Sequence, residues 1–297
     1  MSPPGRPKGS YKSAKREGTP MSSAPTTAGA RVEELAQRLL AAYDRAALVP
    51  LPSAAPGGID TATAYAVGER LRQLRIARGE RPVGWKIGFT NRGIWQRYGV
   101  YEPMWAPVWD STTVLLDGTE ATLPLAGLSQ PRLEPEVVFG LAKPPKAGMT
   151  LDELRGCVEW VAHGFEVVHT HFDGWRFTAP DTAADFALHG RLRVGPRVPV
   201  HDWTALAADV AALQVELSCN GEPKDRGQGS IVLDGPLHAL KAMVEAMAKT
   251  TPQWSIAAGE VVTTGTITDA WPLAPGQVWS TRLSDARLAG LTVRTVA

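Results

Sequence analysis

Two glutamates, Glu134 and Glu136, lie two positions apart in the β-prone segment RLEPEVVF at residues 132–139. Side chains alternate between the faces of a strand, so both carboxylates are expected on one face. Two like charges next to an apolar stretch repel each other and lose part of their hydration. A partner of opposite charge must therefore neutralise them. A divalent cation that prefers oxygen ligands, Mg²⁺ or Mn²⁺, would do so. The alternative is a solvated strand face on which Arg132 pairs with the acids.

A third carboxylate, Glu166, follows thirty residues after Glu136 inside the apolar run GFEVV at residues 164–168. Its bulky neighbours place it in or beside the core, where an acid is rarely left unpaired. Together with Glu134 and Glu136 it would fill half of an octahedral shell. The other positions would be open to water or to a bidentate 2-oxo acid. This hypothesis requires the two strands to be neighbours.

Lys86 lies between apolar residues and two glycines in the segment GWKIGFT at residues 84–90. Burial lowers the pKa of a lysine and makes it usable for proton transfer. The alternative is a lysine whose stem covers apolar surface while the ammonium reaches water. We expect Lys86 to be the group that moves a proton.

Two histidines, His169 and His171, follow Glu166 at the spacing of one strand face. They could form a second metal-binding pair, or form hydrogen bonds at the rim of the site. Imidazole is a common metal ligand, but histidines in such a position more often form hydrogen bonds.

The segment FDGWRF at residues 172–177 carries three further candidates. Arg176 could meet a substrate carboxylate through a bidentate contact, or be an ordinary surface arginine. Trp175 and Phe177 could form the wall of a pocket or pack in the core.

The elements that must position these side chains begin with helices. Amphipathic spacing predicts one helix over 31–48 and a second from about Thr61 to near Gly79, with Asp60 or Thr61 as N-cap. After Gly79 the pattern changes to short β-prone runs separated by turn residues. These runs are VGWKIGFT, EPEVVFGL, VAHGFEVVHT, LQVELSCNG, EVVTTGTI, QVWSTRL and LTVRTV.

Two helices interrupt the strands, LDELRGCVEWV from Leu151 and GPLHALKAMVEAMAK from Gly235. Strands and helices do not alternate regularly, which disfavours a doubly wound sheet or a (β/α)₈ barrel. We therefore expect an α+β protein with three parts. They are a disordered basic tail over 1–30, a helical part over 31–80 and a β-rich catalytic domain over 81–297.

The composition excludes several classes of protein. The 297 residues carry a net charge of +1, which does not provide the concentrated positive field of a nucleic-acid or membrane-surface binder. No apolar run is long enough to span a membrane. Two cysteines without a C-x-x-C motif fit a reducing cytoplasm, so we expect a cytoplasmic protein.

The first thirty residues are rich in Pro, Gly, Ser, Thr and Ala and carry five basic side chains against one acidic one. Such a segment buries too little apolar surface to offset its ordering entropy. It is expected to be a disordered tail, or upstream sequence if translation starts at Met21. A basic arm that touches RNA or lipid is the alternative.

An ordered set of motifs resembles a known family. GWKIGFT, PRLEPEVVFGL, VEWVAHGFEVV, an Asp-Thr-x-x-Asp stretch and a late TTGTIT are similar to the fumarylacetoacetate hydrolase superfamily. Within it they resemble the branch of 2-keto-4-pentenoate hydratases and 4-oxalocrotonate decarboxylases. The similarity extends from about Arg31 to the carboxyl terminus. It implies a mixed β-roll whose strands carry the site.

The resemblance also implies the site. The family's E-x-E pair and third glutamate match Glu134, Glu136 and Glu166, which would hold Mg²⁺ or Mn²⁺, and the family lysine of G-x-K-x-G matches Lys86. Members are usually homo-oligomers, sometimes with a paired pathway enzyme. They act on dienols or 2-oxo acids from the breakdown of aromatic rings.

Other implied site residues come from the later motifs. The Asp-Thr-x-x-Asp stretch matches Asp181 and Asp185, with His189 close behind. These three are the candidates for a second proton-transfer group beside Lys86. Thr266, in the TTGTIT segment, is expected to contact the substrate.

The sequence departs from the family pattern at three places. Met104 stands where hydratases of this branch carry an acid/base Asp, and decarboxylases tend to be apolar there. Phe186 replaces the usual Asn after Asp-Thr-x-x-Asp. The usual Gly-His-Pro is Gly235-Pro236, with His238 two residues later. These changes predict a remodelled pocket.

The resulting expectation is a metal-dependent lyase of the hydratase type that acts on a 2-oxo or 2-hydroxydienoic acid. A decarboxylase of the 4-oxalocrotonate type is the first alternative, favoured by Met104. An acylpyruvate C–C hydrolase and a non-catalytic oligomeric partner of such an enzyme are the others.

Overall fold

The computed structural model describes residues 27–297 together with Met1, so most of the predicted tail over 1–30 lies outside the described residues. The first helix begins at Thr27, before the expected start at Arg31, and ends at Arg45. Seven α-helices occur among the described residues: α1 (Thr27–Arg45), α2 (Thr61–Ala77), α3 (Trp95–Tyr98), α4 (Leu151–Arg155), α5 (Ala179–Ala184), α6 (Leu206–Ala212) and α7 (Pro236–Thr250).

Strands make up most of the rest. The described residues form fourteen strands: β1 (Pro82–Gly88), β2 (Met104–Trp109), β3 (Thr113–Leu115), β4 (Glu120–Pro124), β5 (Arg132–Leu141), β6 (Val158–Val168), β7 (His189–Val194), β8 (Val198–Pro199), β9 (Gln214–Cys219), β10 (Glu222–Gln228), β11 (Val261–Thr266), β12 (Trp271–Pro272), β13 (Val278–Leu283) and β14 (Thr292–Val296).

The α1 and α2 helices pack against each other at the amino-terminal end of the described chain. Leu35 and Leu39 of α1 and Val67 and Leu71 of α2 are buried in a shared apolar cluster. The α2 helix begins where the sequence predicts, because the Asp60 side chain accepts a hydrogen bond from the Thr63 amide at 2.8 Å.

The predicted helix from Leu151 is wrong in its second half. The α4 helix ends at Arg155, and the residues from Val158 onward form the long strand β6. Gly156 ends the helix, and the β-branched Val158 and Val161 then pair with β5. Pairing with a neighbouring strand outweighs the weak helical periodicity of this segment.

Two sheets account for the strands of the described chain. The larger has nine strands in the order β2-β1-β11-β5-β6-β7-β3, with β12 paired to β5 and β8 paired to β6. It is mixed, because β1–β11 and β3–β7 are parallel pairs. The smaller sheet has five strands in the order β10-β9-β13-β14-β4. The α+β class with a curled mixed sheet and amino-terminal helices agrees with the prediction.

The centre of the larger sheet is its most buried part. The β5 strand is buried from Pro135 onward, and β6 is buried from Val161 onward. The two strands pair antiparallel along nearly their whole length, so they are the neighbours that the metal hypothesis requires. No helix within residues 27–297 combines the length and apolar character needed to cross a membrane.

Candidate active site

Antiparallel pairing of β5 and β6 brings the three glutamates together. Glu134 lies directly opposite Glu166, and Glu136 lies opposite Gly164, where a Cβ atom would meet the Val138 side chain and the Arg193 carbonyl. One carboxylate oxygen from each of Glu134, Glu136 and Glu166 lies within 4.8 Å of the other two. Glu136 and Glu166 are fully buried, whereas Glu134 is half-buried and faces a cavity.

Two of these carboxylates are each held through one oxygen. Glu136 Oε2 accepts hydrogen bonds from the Gly265 amide at 2.8 Å and from the Thr263 hydroxyl. Glu166 Oε1 accepts one from His189 Nδ1 at 2.8 Å. Within the described chain, Glu136 Oε1 has no hydrogen-bond donor, and the nearest cation to Glu166 Oε2 is the Lys86 ammonium, 3.3 Å away.

This arrangement fits a divalent cation. Three carboxylates converge, neighbours fix one oxygen each of Glu136 and Glu166, and the buried Glu136 Oε1 has no hydrogen-bond donor among the described residues. Ligating carboxylates are oriented in this way by second hydrogen bonds in metal sites generally. An all-oxygen donor set suits Mg²⁺ or Mn²⁺ rather than a metal that prefers sulfur or imidazole.

The pKa values of the three acids reflect their unequal surroundings. Burial raises the pKa of Glu136 well above its ordinary value and that of Glu134 to about 7, and the nearby Glu166 charge adds to both effects. Burial works in the same direction at Glu166. There, however, the charge of Lys86 and the hydrogen bond from His189 outweigh it and lower the pKa.

Lys86 is buried beside the carboxylates. Its Nζ lies 3.3 Å from Glu166 Oε2 and donates a hydrogen bond to the Ala187 carbonyl at 3.0 Å. Burial alone would lower its pKa, but the charges of Glu166, Glu134 and Glu136 raise it above the ordinary value. The structure thus gives the opposite direction to the lowered lysine pKa expected from burial alone, because the acids surround the ammonium.

The backbone that receives Lys86 is in an unusual conformation. Phe186, Ala187 and Leu188 all have positive φ angles, of 55°, 47° and 66°. Residues with a Cβ atom visit this left-handed region at a cost of roughly 1–2 kcal/mol each. Such strain is concentrated at functional sites. Here it turns the Ala187 carbonyl toward Lys86 Nζ.

His189 lies behind the glutamates rather than in the cavity. Its Nδ1 donates to Glu166, and its Nε2 lies 2.8 Å from the Thr112 hydroxyl. Burial lowers the pKa of His189, although the hydrogen bond to Glu166 and the charge of Glu166 act in the opposite direction. The lowered pKa is consistent with a neutral ring. A neutral imidazole with this pattern orients the carboxylate that it touches.

Asp181 and Asp185 are also buried away from the cavity. Asp181 accepts hydrogen bonds from the Ser53 amide and hydroxyl and from the Thr178 amide and hydroxyl, at 2.6–2.9 Å. Asp185 accepts from His171, both from its amide at 3.1 Å and from Nδ1 at 2.6 Å. Asp181 thus fixes the start of α5, and Asp185, at the end of α5, fixes the position of His171.

The two histidines that follow β6 have their Nδ1 atoms in opposite roles. His171 Nδ1 donates to Asp185, whereas His169 Nδ1 accepts from the Ser129 amide at 3.3 Å. A neutral imidazole that accepts at Nδ1 carries its proton on Nε2, so His169 Nε2 has no lone pair for a metal. This pattern disfavours a metal-binding pair.

A cavity of about 410 Å³ opens beside the glutamates, within the usual range for small-molecule sites. Lys86, Glu134 and Thr266 line it, as do Trp175 and Phe177, which form part of its wall. Phe177 also packs against the apolar cluster of the amino-terminal helices. The full lining consists of Lys86, Ile87, Gly88, Phe89, Thr90, Asn91, Ile94, Arg97, Tyr98, Met104, Arg132, Glu134, Val168, Trp175, Phe177, Thr182, Ala187, Leu188, Gly265, Thr266, Thr268, Asp269 and Ala270.

The cavity lining contains two arginines, Arg97 and Arg132, for which the sequence did not predict a role in substrate binding. Arg132 is on β5, two positions before Glu134, and Arg97 is on the short helix α3. The expected substrate arginine, Arg176, points elsewhere: its side chain is 81% exposed and pairs with Asp173. The alternation of β5 could have identified Arg132, because it shares the face of Glu134. No pattern in the sequence singled out Arg97.

Met104 forms an apolar part of the cavity wall. It is 4% exposed, at the start of β2, and its sulfur accepts a hydrogen bond from the Thr182 hydroxyl at 3.2 Å. The position therefore faces the cavity but offers no ionisable group.

Residues 105–294 match the family model described as the carboxyl-terminal part of fumarylacetoacetate (FAA) hydrolase, which is more than half of the chain. The chain belongs to the fumarylacetoacetate hydrolase family. The resemblance inferred from the motifs is thereby confirmed, and so is the branch that they indicated.

Members of the fumarylacetoacetate hydrolase family with related sequences include both hydratases and decarboxylases. The chain is 34% identical to a 2-hydroxyhexa-2,4-dienoate hydratase of Comamonas testosteroni, over 82% of this chain and 90% of that one. It is 30% identical to a 4-oxalocrotonate decarboxylase of a Pseudomonas species, over 83% and 91%.

A solved structure is similar over nearly the whole described fold. It is the 4-oxalocrotonate decarboxylase from Pseudomonas putida G7, complexed with magnesium and adipate. The TM-score is 0.82 at 25% sequence identity, with 90% of this chain and 98% of that chain covered.

Proposed function

We propose that this protein is a metal-dependent lyase of the hydratase type that acts on a 2-oxo or 2-hydroxydienoic acid from aromatic catabolism. One observation carries the proposal. Three carboxylates converge beside a buried lysine at a cavity large enough for such an acid, and the buried Glu136 Oε1 has no hydrogen-bond donor among the described residues. The hydratases and decarboxylases among the relatives support the same chemistry.

Glu134, Glu136 and Glu166 are the residues that would hold Mg²⁺ or Mn²⁺. When bound, the ion supplies Lewis-acid polarisation of the 2-oxo group and stabilises negative charge on its oxygen. Thr263, Gly265 and His189 would keep the ligand oxygens in place.

Lys86 is the proposed acid/base residue. Its Nζ lines the cavity and is fixed by the Ala187 carbonyl and Glu166, so a proton can be held at one defined position. In hydration, the water gives its hydroxyl to one carbon of the double bond and a proton goes to the other. Lys86 would move that proton, and Thr266 would contact the substrate.

His189, Asp181 and Asp185 are proposed as positioning residues. Their hydrogen bonds hold Glu166, the start of α5 and His171, respectively. None of the three lines the cavity, so each would influence the reaction through the groups that it touches.

Decarboxylation is the second candidate, and Met104 favours it. An apolar side chain at this point of the wall offers no group to activate the water that hydration needs. In decarboxylation the bond to a carboxylate carbon breaks, CO₂ leaves and a proton is added to the remaining carbon. The step needs a proton donor but no water.

The test compares the purified protein with Glu134→Gln/Glu136→Gln and Lys86→Met variants, with and without Mg²⁺. We expect wild-type turnover of 2-hydroxypenta-2,4-dienoate to require the ion. It should fall more than about 100-fold in the double variant and about 10²–10⁴-fold in Lys86→Met. Glu120→Gln, at an exposed position of β4, is the control and should be unchanged.

The products distinguish the two candidates. Loss of the dienol absorbance without gas release indicates hydration, and CO₂ release from 2-oxo-3-hexenedioate indicates decarboxylation. Turnover that persists in the double variant without added metal would refute the metal role.

A further inference from the structure

A left-handed turn at residues 186–188 lies between the cavity and the amino-terminal helices. Its three residues, Phe186, Ala187 and Leu188, have φ angles of 55°, 47° and 66°. Ala187 and Leu188 line the cavity, whereas the Phe186 side chain is buried in the apolar cluster that α1 and α2 form. The turn therefore connects these helices to the wall of the cavity.

Two backbone hydrogen bonds close the turn without selecting its handedness. The Leu188 amide donates to the Asp185 carbonyl at 2.7 Å, and the His189 amide donates to the Phe186 carbonyl. Each bond joins residues three positions apart, which is also the spacing of an ordinary right-handed 3₁₀ turn. Since residues with a Cβ atom favour the right-handed form, contacts from outside the turn must hold the left-handed one.

The Phe186 ring makes such contacts with both amino-terminal helices. The centre of the Tyr43 ring, on α1, lies 4.7 Å from that of Phe186. The Arg75 guanidinium, on α2, lies 4.7 Å from the centre of the Tyr43 ring and 5.5 Å from that of Phe186. An ion pair with Glu80 in turn fixes the guanidinium. Phe186 is thus packed against two side chains from helices that are packed against each other.

On its other side, the turn presents a carbonyl group to Lys86. The Ala187 carbonyl oxygen accepts a hydrogen bond from Lys86 Nζ at 3.0 Å, and Glu166 Oε2 lies 3.3 Å from the same nitrogen. A change of φ at residues 186–188 would rotate the Ala187 peptide and remove one of these two contacts. The ammonium would then no longer be held at one position beside the cavity.

We propose that Phe186 is a positioning residue for Lys86. Its ring, packed against Tyr43 and Arg75, keeps the turn left-handed, and the turn keeps the Ala187 carbonyl on the Lys86 ammonium. The inference rests on the proposed function, in which Lys86 moves the proton. It gives α1 and α2 a role in the reaction, although the described residues of these two helices do not line the cavity.

The residue type at position 186 provides a way to separate the ring from the turn. Phe186 stands where the family pattern has Asn. Asn adopts the left-handed conformation several times more readily than most residues with a Cβ atom, so it would favour the turn without the ring. Ala has no such preference. Phe186→Asn and Phe186→Ala therefore both remove the packing, but they differ in the conformation that the backbone favours.

The test measures kcat and KM with Mg²⁺, on whichever of 2-hydroxypenta-2,4-dienoate and 2-oxo-3-hexenedioate the wild type turns over. We expect Phe186→Ala to lower kcat at least about tenfold, because a displaced proton-transfer group slows the reaction. Its KM should stay within about twofold of wild type, because the glutamates and the aromatic wall are unchanged. Phe186→Asn should keep at least about five times the kcat of Phe186→Ala.

A control variant, Leu35→Ala, separates positioning from loss of stability. Leu35 is buried in the same cluster, eight positions before Tyr43 and therefore about 12 Å away along α1. Leu35→Ala should lower the melting temperature, as Phe186→Ala does, but keep kcat within about twofold of wild type. A kcat that simply followed the melting temperature across the three variants would overturn the positioning role.

Crystal structures of the two Phe186 variants give a readout that does not depend on activity. We expect the Ala187 carbonyl to stay within hydrogen-bond distance of Lys86 Nζ in Phe186→Asn and to leave it in Phe186→Ala. An unchanged left-handed turn in Phe186→Ala would contradict the proposal. If Phe186→Ala does not fold, Phe186→Leu takes its place, because it keeps more apolar volume and equally lacks a left-handed preference.

Failure of the positioning role and failure of the proposed function give different results. Wild-type turnover together with equal kcat values in Phe186→Ala and Phe186→Asn would overturn the role of Phe186 alone. Absence of Mg²⁺-dependent wild-type turnover on both substrates would overturn the function, and the role of Phe186 in it.

Discussion

Glu136 and Glu166 are both fully buried, yet their pKa values move in opposite directions. Burial raises the pKa of each acid, so the difference comes from the donors that each one meets. Glu166 has the Lys86 ammonium and the His189 ring as direct neighbours, whereas Glu136 has a hydroxyl and an amide. A charged neighbour stabilises a carboxylate more than a neutral donor does. A divalent ion would supply the charge that Glu136 lacks.

A second buried charge, Arg75, gives a prediction at the scale of single residues. Its side chain is 1% exposed and lies over the rings of Tyr43 and Trp109 at 4.7 and 4.5 Å. Its ion-pair partner is Glu80, which is 14% exposed and also accepts a hydrogen bond from Ser111 at 2.6 Å. Removing the acid would leave a buried cation unpaired.

We expect Glu80→Gln to lower the free energy of unfolding by about 2 kcal/mol at pH 7, less than for a fully buried pair because Glu80 reaches solvent. Burial works against ionisation of Glu80, but the hydrogen bonds from Arg75 and Ser111 outweigh it and lower the pKa below 4.5. The stabilisation is therefore complete above pH 4.5 and is lost as pH falls through the lower, folded-state value.

Urea unfolding of both proteins between pH 3 and pH 7 checks this prediction. The difference in the free energy of unfolding between wild type and Glu80→Gln should become smaller below about pH 4.5. Glu120→Gln, at an exposed site, serves as the control and should show no gap at any pH. A gap that is constant over the whole range would contradict the ion-pair explanation.

At the scale of elements, β1 must lie close to β11 for Lys86 to reach the glutamates. The two strands are parallel, and Gly84 is paired with Val261. A Cβ atom at Gly84 would overlap the Val261 carbonyl oxygen. At Gly88, at the other end of the same strand, the nearest atoms to a Cβ would be 3.9–4.0 Å away, which is ordinary contact.

These two glycines make a matched pair of variants. We expect Gly84→Ala to destabilise the protein by about 3 kcal/mol or more, because backbone atoms must separate. Gly88→Ala should change stability by less than about 1 kcal/mol. Thermal unfolding of both variants tests the prediction, and equal melting temperatures would show that β1 and β11 are less closely packed than described.

At the scale of the whole molecule, the candidate metal centre lies on the two central strands of the nine-stranded sheet. Both β5 and β6 pair with further strands on their outer sides, β11 and β7. An ion bound between them adds a link across the middle of the fold. Any ligand that binds only the folded state raises its stability by mass action.

We therefore expect Mg²⁺ to raise the melting temperature. At 100 times the dissociation constant the gain is about 2.7 kcal/mol, or about 5 °C for a protein of this size. The chelator EDTA should reverse the increase. Glu134→Gln/Glu136→Gln should not respond, whereas Glu120→Gln should respond like wild type. An equal increase in the double variant would mean that the ion binds elsewhere.

The sequence by itself predicted the three candidate metal ligands and the class of fold. Alternation within β5 places Glu134 and Glu136 on one face, and the apolar neighbours of Glu166 require burial. Asp60 determined the start of α2 through a local hydrogen bond. These features depend on neighbours in the chain, which is why spacing and residue type were enough.

Only the tertiary structure decided which side chains face the cavity. Arg97 and Arg132 line it, whereas Arg176 points to solvent and pairs with Asp173. Asp185, a candidate for the second proton-transfer group, lies outside the cavity lining and accepts a hydrogen bond from His171. The direction of the Lys86 pKa shift likewise depended on acids that are distant in the chain. Contacts between segments far apart set these properties, since strand pairing and burial, rather than local spacing, fix where each charge lies.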